Sequence, residues 1–273
     1  MQMSNAIFRA WAYLKHLFRS WNTGGEGIHS PYLFYLVRML IYDENRYYCW
    51  RDIERQRREL LRSQQTIEVT DYGTGKTAAS HRQVAHIAEQ CLEKPHVAQV
   101  LFRLVAYLGH VEKRPLEIVE LGTSLGITTA YLAMPDSRNS VETYEGSQAL
   151  TDIAQGVWQR LGIRNIRQVV GNIDDTLYNN NAQRTHARGG IDIAYIDANH
   201  TYEATLRYFD RLAKEKRQNS IYILDDIHYS PGMEAAWKEI CAREDVTTTM
   251  DLYDVGLVFF DTHYLRRDYR LRI

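Results

Sequence analysis

Leu116-Glu117-Ile118-Val119-Glu120-Leu121-Gly122-Thr123-Ser124-Leu125-Gly126-Ile127-Thr128-Thr129-Ala130-Tyr131-Leu132 opens as an apolar run behind Pro115, reaches an acid, passes two glycines four apart and resumes at helical spacing. That succession predicts a strand, a tight turn and a helix. Glycine permits turn conformations closed to other residues and lets a ligand lie against the main chain, while the start of the next helix carries N–H groups without intrahelical partners. A nucleotide-like ligand suits such a turn. The spacing, Glu-x-Gly-x-x-x-Gly, departs from the Gly-x-Gly-x-x-Gly of dinucleotide sites and lacks the Gly-Lys-Ser/Thr ending of a phosphate loop.

Downstream the chain alternates: 140–144 reads as strand, 149–161 as helix, 166–170 and 191–196 as strands, 201–214 as helix, 221–224 as strand and 232–241 as helix. Alternation of this kind builds βαβ units, so the expected fold is α/β, a doubly wound Rossmann-like sheet with helices on both faces. Two last strands, 246–252 and 255–260, are separated only by Tyr253-Asp254. A link so short cannot make a parallel crossover, which predicts an antiparallel C-terminal hairpin at the sheet edge.

In open α/β sheets ligands sit beyond the carboxyl ends of the strands, and here those ends are polar: Glu145, Gly171-Asn172-Ile173-Asp174, Asp197 and Asp225-Asp226. An acid at Glu145 can accept hydrogen bonds from both hydroxyls of a ribose. If adjacent strands bring Asp197, Asp225 and Asp226 together, three carboxylates come within reach of one hard divalent cation. His200 and His228 each follow a strand-end acid by three residues, and a neutral imidazole there can take a proton from a substrate hydroxyl.

The acid-glycine turn, the strand-end acids and the reversed strand resemble the class I S-adenosylmethionine (SAM)-dependent methyltransferases. From about Gly27 onward the chain is similar to a group of such enzymes typical of Bacteroidetes-type bacteria, through Gly27-Ile28-His29-Ser30-Pro31, Val119 to Gly126, Asp225-Asp226-Ile227-His228 and Gly256-Leu257-Val258-Phe259-Phe260. The resemblance implies that Glu120, Gly122, Thr123, Ser124, Gly126, Glu145, Gly146, Asn172, Ile173 and Asp197 hold the cofactor SAM. Glu120 would face its amino-acid end, and the Asn172 turn would face its adenine, where Asn stands for the more frequent Asp. The catechol-type O-methyltransferases place a metal on acids at these strand ends, which implies Mg2+ on Asp197, Asp225 and Asp226. Asp197, His200 and His228 are the candidate catalytic residues, and the implied reaction is methyl transfer to an oxygen of a small-molecule acceptor. Two other readings stand beside it: a SAM-binding regulatory or scaffold protein without turnover, and a nicotinamide-dependent oxidoreductase on the same architecture, whose glycine spacing this chain lacks.

The first 110 residues read as a helical region that caps the site or builds a homodimer, ahead of a SAM-binding domain over 111–273. Ile7, Phe8, Trp11, Leu14, Leu17, Phe18 and Trp21 fall at helical spacing between basic residues, which predicts an amphipathic helix docked by its aromatic face rather than laid on a membrane. After the glycine-rich break at 22–27, Ser30 reads as the cap and Pro31 as the first residue of a second helix. The charge run at 50–62 reads as a solvated helix face. Residues 84–108 supply two helices divided near Pro95. Gly75-Lys76-Thr77 imitates a phosphate loop, but Thr70 stands where that loop needs glycine and no strand-closing apolar run precedes it, so it reads as a decoy.

Lys plus Arg number 33 against 34 Asp plus Glu, a net charge of -1, so no whole-chain field draws the protein to nucleic acid or an anionic membrane. Three cysteines without a Cys-x-x-Cys pair suggest neither a zinc site nor a disulfide framework, and suit a reducing cytoplasm. No stretch has the apolar length for stable membrane insertion, and charges interrupt the place where a signal peptide has its apolar centre.

Overall fold

The computed structural model describes residues 5–20, 28, 30–43, 45–72, 78–179 and 190–272. The expected element at Gly27-Ile28-His29, the glycine-rich break, Trp21 and the Gly75-Lys76-Thr77 decoy fall wholly or partly outside the described residues. In chain order the elements are α1 (Asn5–Arg19), α2 (Pro31–Ile41), α3 (Tyr48–Leu61), β1 (Thr66–Asp71), β2 (Ala78–Gln83), α4 (Val84–Cys91), α5 (Pro95–Glu112), β3 (Glu117–Leu121), α6 (Ile127–Ala133), β4 (Ser140–Glu145) and α7 (Gln148–Leu161). They continue with β5 (Ile166–Val170), α8 (Ile173–Asn179), β6 (Ile191–Ile196), α9 (Tyr202–Ala213), β7 (Lys216–Asp225), α10 (Pro231–Ala242), β8 (Thr248–Asp251), β9 (Val255–Phe259) and β10 (Arg267–Arg270). This is a Rossmann-like α/β fold, mostly parallel with an antiparallel hairpin. The chain divides into two compact units, Glu44–Arg188 and Met1–Asp43 with Gly189–Ile273.

In the unit Glu44–Arg188, β3, β4 and β5 run parallel, with Glu120 beside Thr143 and Glu145 beside Val170. Their carboxyl ends therefore lie along one edge. All seven residues of α6 are buried, as its sequence, apolar nearly all round, requires. Its Tyr131 packs with Trp50 of α3 in a core that also holds Ile53, Phe102 and Trp158. The charge run on α3 is only partly a solvated face. Arg57 is buried, donating to Glu54 Oε1 at 2.9 Å and to the Glu93 carbonyl at 2.7 Å, and Tyr131 Oη donates to the same Glu54 oxygen at 2.9 Å. Pro95 divides α4 from α5 at the first position of the second helix, where its missing N–H is not needed. The hairpin β1–β2 was not expected: Ile67 and Val69 alternate inward on β1, which pairs antiparallel with β2. A strand does precede the decoy loop, and the described residue after it begins a strand rather than a helix, which is not phosphate-loop architecture.

In the other unit β6 and β7 are parallel, β7 and β9 antiparallel, β8 and β9 antiparallel, and β10 lies parallel beside β8. The reversed strand is where the short Tyr253-Asp254 link placed it. The hairpin is not the edge, however, because β10 adds a further strand beyond it. Arg267-Asp268-Tyr269-Arg270 buries only Tyr269, so it carries no apolar run to announce it. Ser30 caps α2, accepting from Leu33 N at 3.4 Å with Pro31 at the first turn. The docking of α1 reverses the expectation. Ala12 and His16 are buried, Arg9 O accepts from Tyr253 Oη at 2.9 Å, and Ile7, Trp11, Leu14 and Phe18 stay exposed. Among the described residues no helix is long and apolar enough to cross a membrane.

Candidate functional site

The turn after β3 is closed on itself. Gly122 N and Thr123 N both donate to the Tyr144 carbonyl, at 3.0 and 3.1 Å, and Gly126 N donates to the Thr123 carbonyl at 2.9 Å. Ser124 N donates to Glu145 Oε2 at 2.9 Å. Gly122, Ser124 and Gly126 all take positive φ, 99°, 49° and 76°. At Gly126 glycine is obligatory on two counts, since a Cβ would also stand 2.7 Å from Ala154 Cβ and 2.8 Å from the indole nitrogen of Trp158. That indole donates to the Gly126 carbonyl at 2.8 Å, locking the turn to α7.

The two acids of this edge have different surroundings. Glu120 is fully buried, and its Oε2 accepts from Thr129 Oγ1 at 2.5 Å and Thr143 Oγ1 at 2.6 Å. The expectation that it faces a ligand directly is therefore not how it stands: it ties the strand to α6 and β4 from inside. Glu145 is half-buried and braces the turn, its Oε2 held by Ser124 N and its Oε1 by Ser147 N at 2.9 Å. Asn172 caps α8, its Oδ1 accepting from Asp174 N at 3.1 Å, and Ile173 is the first residue of that helix.

Sequence reasoning missed Tyr72. Its ring lies so close to Gly146 that a Cβ there would meet Tyr72 Cδ2 at 2.7 Å, and Thr70 N donates to Ser147 Oγ at 3.3 Å. The β1–β2 hairpin thus borders the end of β4. The alternation of Ile67 and Val69 was the available signal for the strand, but nothing local shows where it packs. A cavity of about 570 Å3 between α3, the hairpin and α7, lined by Leu60, Ile67, Val84, Ile153 and Arg160, lies on the helical side and not at this strand edge.

In the second unit the pairing of Ile196 with Leu224 sets the ends of β6 and β7 side by side. His200 Nε2 stands 3.3 Å from Asp197 Oδ1. Burial alone would lower the imidazole, but Asp197 and, more weakly, Asp226 raise it above the ordinary histidine value. Burial and the repulsion of Asp197 push the Asp226 carboxyl up, against the pull of His200 and Arg9. Asn199, His200 and Asp226 all have positive φ, 66°, 33° and 52°, which is costly for residues other than glycine and is found at functional turns.

The expected trio Asp197, Asp225 and Asp226 does not form a three-carboxylate cage. Among the described residues, the group whose ligand atoms lie within 4.8 Å of one another is His16, His228 and Asp251. His200 and Arg9 already supply positive charge to Asp226, and Asp225 is buried. His228 belongs with Asp251, its Nε2 at 3.0 Å from Oδ2, rather than with the β7 acids that precede it.

Residues 119–227 match the family model described as a methyltransferase domain. Among solved structures the chain is similar to an O-methyltransferase from Bacillus cereus in complex with SAH, at 19% identity, 82% of this chain and 95% of that one, with a TM-score of 0.55. It is similar to the O-methyltransferase TomG from Streptomyces achromogenes, involved in tomaymycin synthesis and in complex with SAM, at 16% identity, 83% and 94% coverage and TM-score 0.55. A SAH-bound methyltransferase from Podospora anserina is also similar, at 10% identity, 87% and 97% coverage and TM-score 0.55. No curated protein matches the chain by sequence. The fold is that of the class I methyltransferases.

Proposed function

We propose that the chain is a SAM-dependent methyltransferase acting on an oxygen of a small-molecule acceptor. The observation that carries this reading is the spent turn: the amides of Gly122, Thr123, Ser124 and Gly126 all donate within the protein. A pyrophosphate needs a nest of available N–H groups. A sulfonium nucleoside carries no phosphate and needs only a bare backbone shelf and an acid for its ribose, which Gly122 and Glu145 provide. The same observation disfavours the nicotinamide reading.

SAM, when bound, supplies a methyl group on a sulfonium, so an acceptor oxygen forms the new O–C bond while sulfur keeps the electrons of the broken one. The protein's part is alignment and the acceptor's proton. Gly122, Thr123 and Ser124 shape the shelf, Glu145 takes the ribose hydroxyls and the Asn172-Ile173 turn flanks the base. Glu120 is a positioning residue, acting through Thr129 and Thr143. His200, with Nε2 against Asp197, takes the acceptor proton on Nδ1. Asp197, Asp225 and Asp226 stand at the ends of the adjacent strands β6 and β7, and transfer measured with added Mg2+ and with EDTA tests metal assistance.

Calorimetry tests the cofactor: SAM and SAH bind and NAD does not, whereas heat with NAD alone ends the proposal. Transfer of labelled methyl to a panel of phenols and catechols tests the reaction. Binding without transfer to any acceptor supports the scaffold reading instead. His200→Gln is expected to lower transfer by about 10^2-fold or more while SAM still binds.

A further inference from the structure

We infer that His16, His228 and Asp251 form a binding site for one borderline divalent transition-metal ion of the Zn2+ or Co2+ type, which staples α1 to the β8 end of its unit. The site is independent of the cofactor reading above. Three elements far apart in sequence meet there: His16 from α1, His228 from the loop before α10, and Asp251 from the last position of β8. His16 and Asp251 are buried, and the His228 side chain is 13% exposed.

The proton positions argue for an ion. His16 Nε2 must donate to the Leu271 carbonyl, 3.1 Å away, because a carbonyl only accepts. That orients the ring with Nδ1 turned to Asp251 Oδ1, 3.3 Å away and buried. A backbone carbonyl on the distal N–H is the support that metal-binding histidines usually have. His228 presents Nε2 at 3.0 Å from Asp251 Oδ2, and its Nδ1 makes no hydrogen bond that would fix the tautomer otherwise.

The dimensions agree. Bonds of 2.0–2.1 Å to nitrogen and oxygen in a tetrahedral site put neighbouring ligands about 3.3 Å apart; His16 Nδ1 stands 3.3 Å from Oδ1 and His228 Nε2 3.0 Å from Oδ2 of the one carboxylate, and a ligand atom of each residue lies within 4.8 Å of the others. A niche of about 20 Å3 lies among Ala12, Lys15, His16, His228, Glu234, Asp251 and Arg270. That is room for one ion or one water. Two imidazoles and one carboxylate suit a borderline ion and not Mg2+ or Ca2+, which prefer all-oxygen shells. The nearby cations do not occupy it: Lys15 lies 3.9 Å from Glu234, and Arg270 Nε stands 3.7 Å from Asp251 Oδ2 with a partly exposed head.

Full-length protein stripped with chelator and titrated with Co2+ is expected to bind one equivalent, develop the visible d–d bands of a low-coordinate ion and unfold at higher temperature. His16→Gln and Asp251→Asn should each weaken Co2+ by about tenfold or more, while Asp197→Asn binds as the wild type. Absence of stoichiometric Co2+, or retention in both variants, or loss in Asp197→Asn alone, overturns the proposal. Should the variants fail to fold, the wild-type Co2+ form still decides: two hyperfine-shifted exchangeable imidazole N–H resonances support the site, and fewer than two refute it.

Discussion

Gly126 has no room for a methyl group. Alanine there meets Ala154 and Trp158 and must hold φ near 76°, costing about 1–2 kcal/mol for the left-handed backbone and about 1–3 kcal/mol more for overpacking. Gly126→Ala should therefore lower the midpoint of urea unfolding and abolish SAM binding together, and a variant as stable as the wild type would contradict the packing described. His200 gives a pH signature. Its folded value is raised, so its contribution to stability is complete below the ordinary histidine value of about 6.5 and fades as pH rises through the folded value. The wild type should exceed His200→Gln in stability at mildly acidic pH and converge with it in alkali, as thermal unfolding across pH will show. The same raised value places the rising, acid-side limb of the methyl-transfer pH profile above about 6.5. Among the thiols, burial pushes Cys241 up to about 12 and raises Cys49, while Cys91 is exposed. Since only thiolate reacts, mass spectrometry after brief maleimide treatment at pH 8 should find Cys91 modified first.

At the scale of elements, what could be read from sequence was whatever is written in short-range periodicity and punctuation. Ser30-Pro31 announced the start of α2, Pro95 the start of α5, and the glycine turn the passage from β3 to α6. Ser30→Ala should cost about 1 kcal/mol by chemical denaturation, the usual worth of such a cap. The β1–β2 hairpin has as its local signal only the alternation of Ile67 and Val69, and two inward residues are too few to set a strand's period apart from a helix's. β10 could not be read at all, since an edge strand with one inward residue has no apolar pattern. The aromatic stripe of α1 misled for a physical reason: periodicity reveals that a helix has two faces, not which of them another element covers. Here hydrogen bonding by His16 and Arg9 O, together with Tyr253 packed on Tyr13 at a ring separation of 4.9 Å, draws in the polar side. Tyr72, contributed by the hairpin, gives this scale its own test. Tyr72→Ala should weaken SAM about fivefold by calorimetry, an aromatic contact worth about 1 kcal/mol. Unchanged affinity would remove the hairpin from the site.

For the molecule as a whole, the fold class was legible because strand-helix alternation survives any detail of packing. The candidate site was legible only as a set of strand ends. That Glu120 turns inward onto Thr129 and Thr143, and that His228 turns to Asp251 rather than to Asp225 or Asp226, depends on contacts between residues distant in the chain, which no local pattern encodes. A ligand that binds only the native state stabilises it by about 2.7 kcal/mol at a hundred times its dissociation constant. Saturating SAH should accordingly raise the unfolding temperature by several degrees, and NAD should leave it unchanged.

One unit is assembled from two stretches far apart in the chain, Met1–Asp43 and Gly189–Ile273. His16 reaches the carbonyl of Leu271, and Tyr253 reaches that of Arg9. During synthesis, Arg9 and His16 of α1 leave the ribosome 244 and 255 residues ahead of Tyr253 and Leu271, the groups they bond. What α1 leaves uncovered in that interval is its buried face, Ala12 and His16, so the docking of this helix is expected to be the last step in the assembly of its unit.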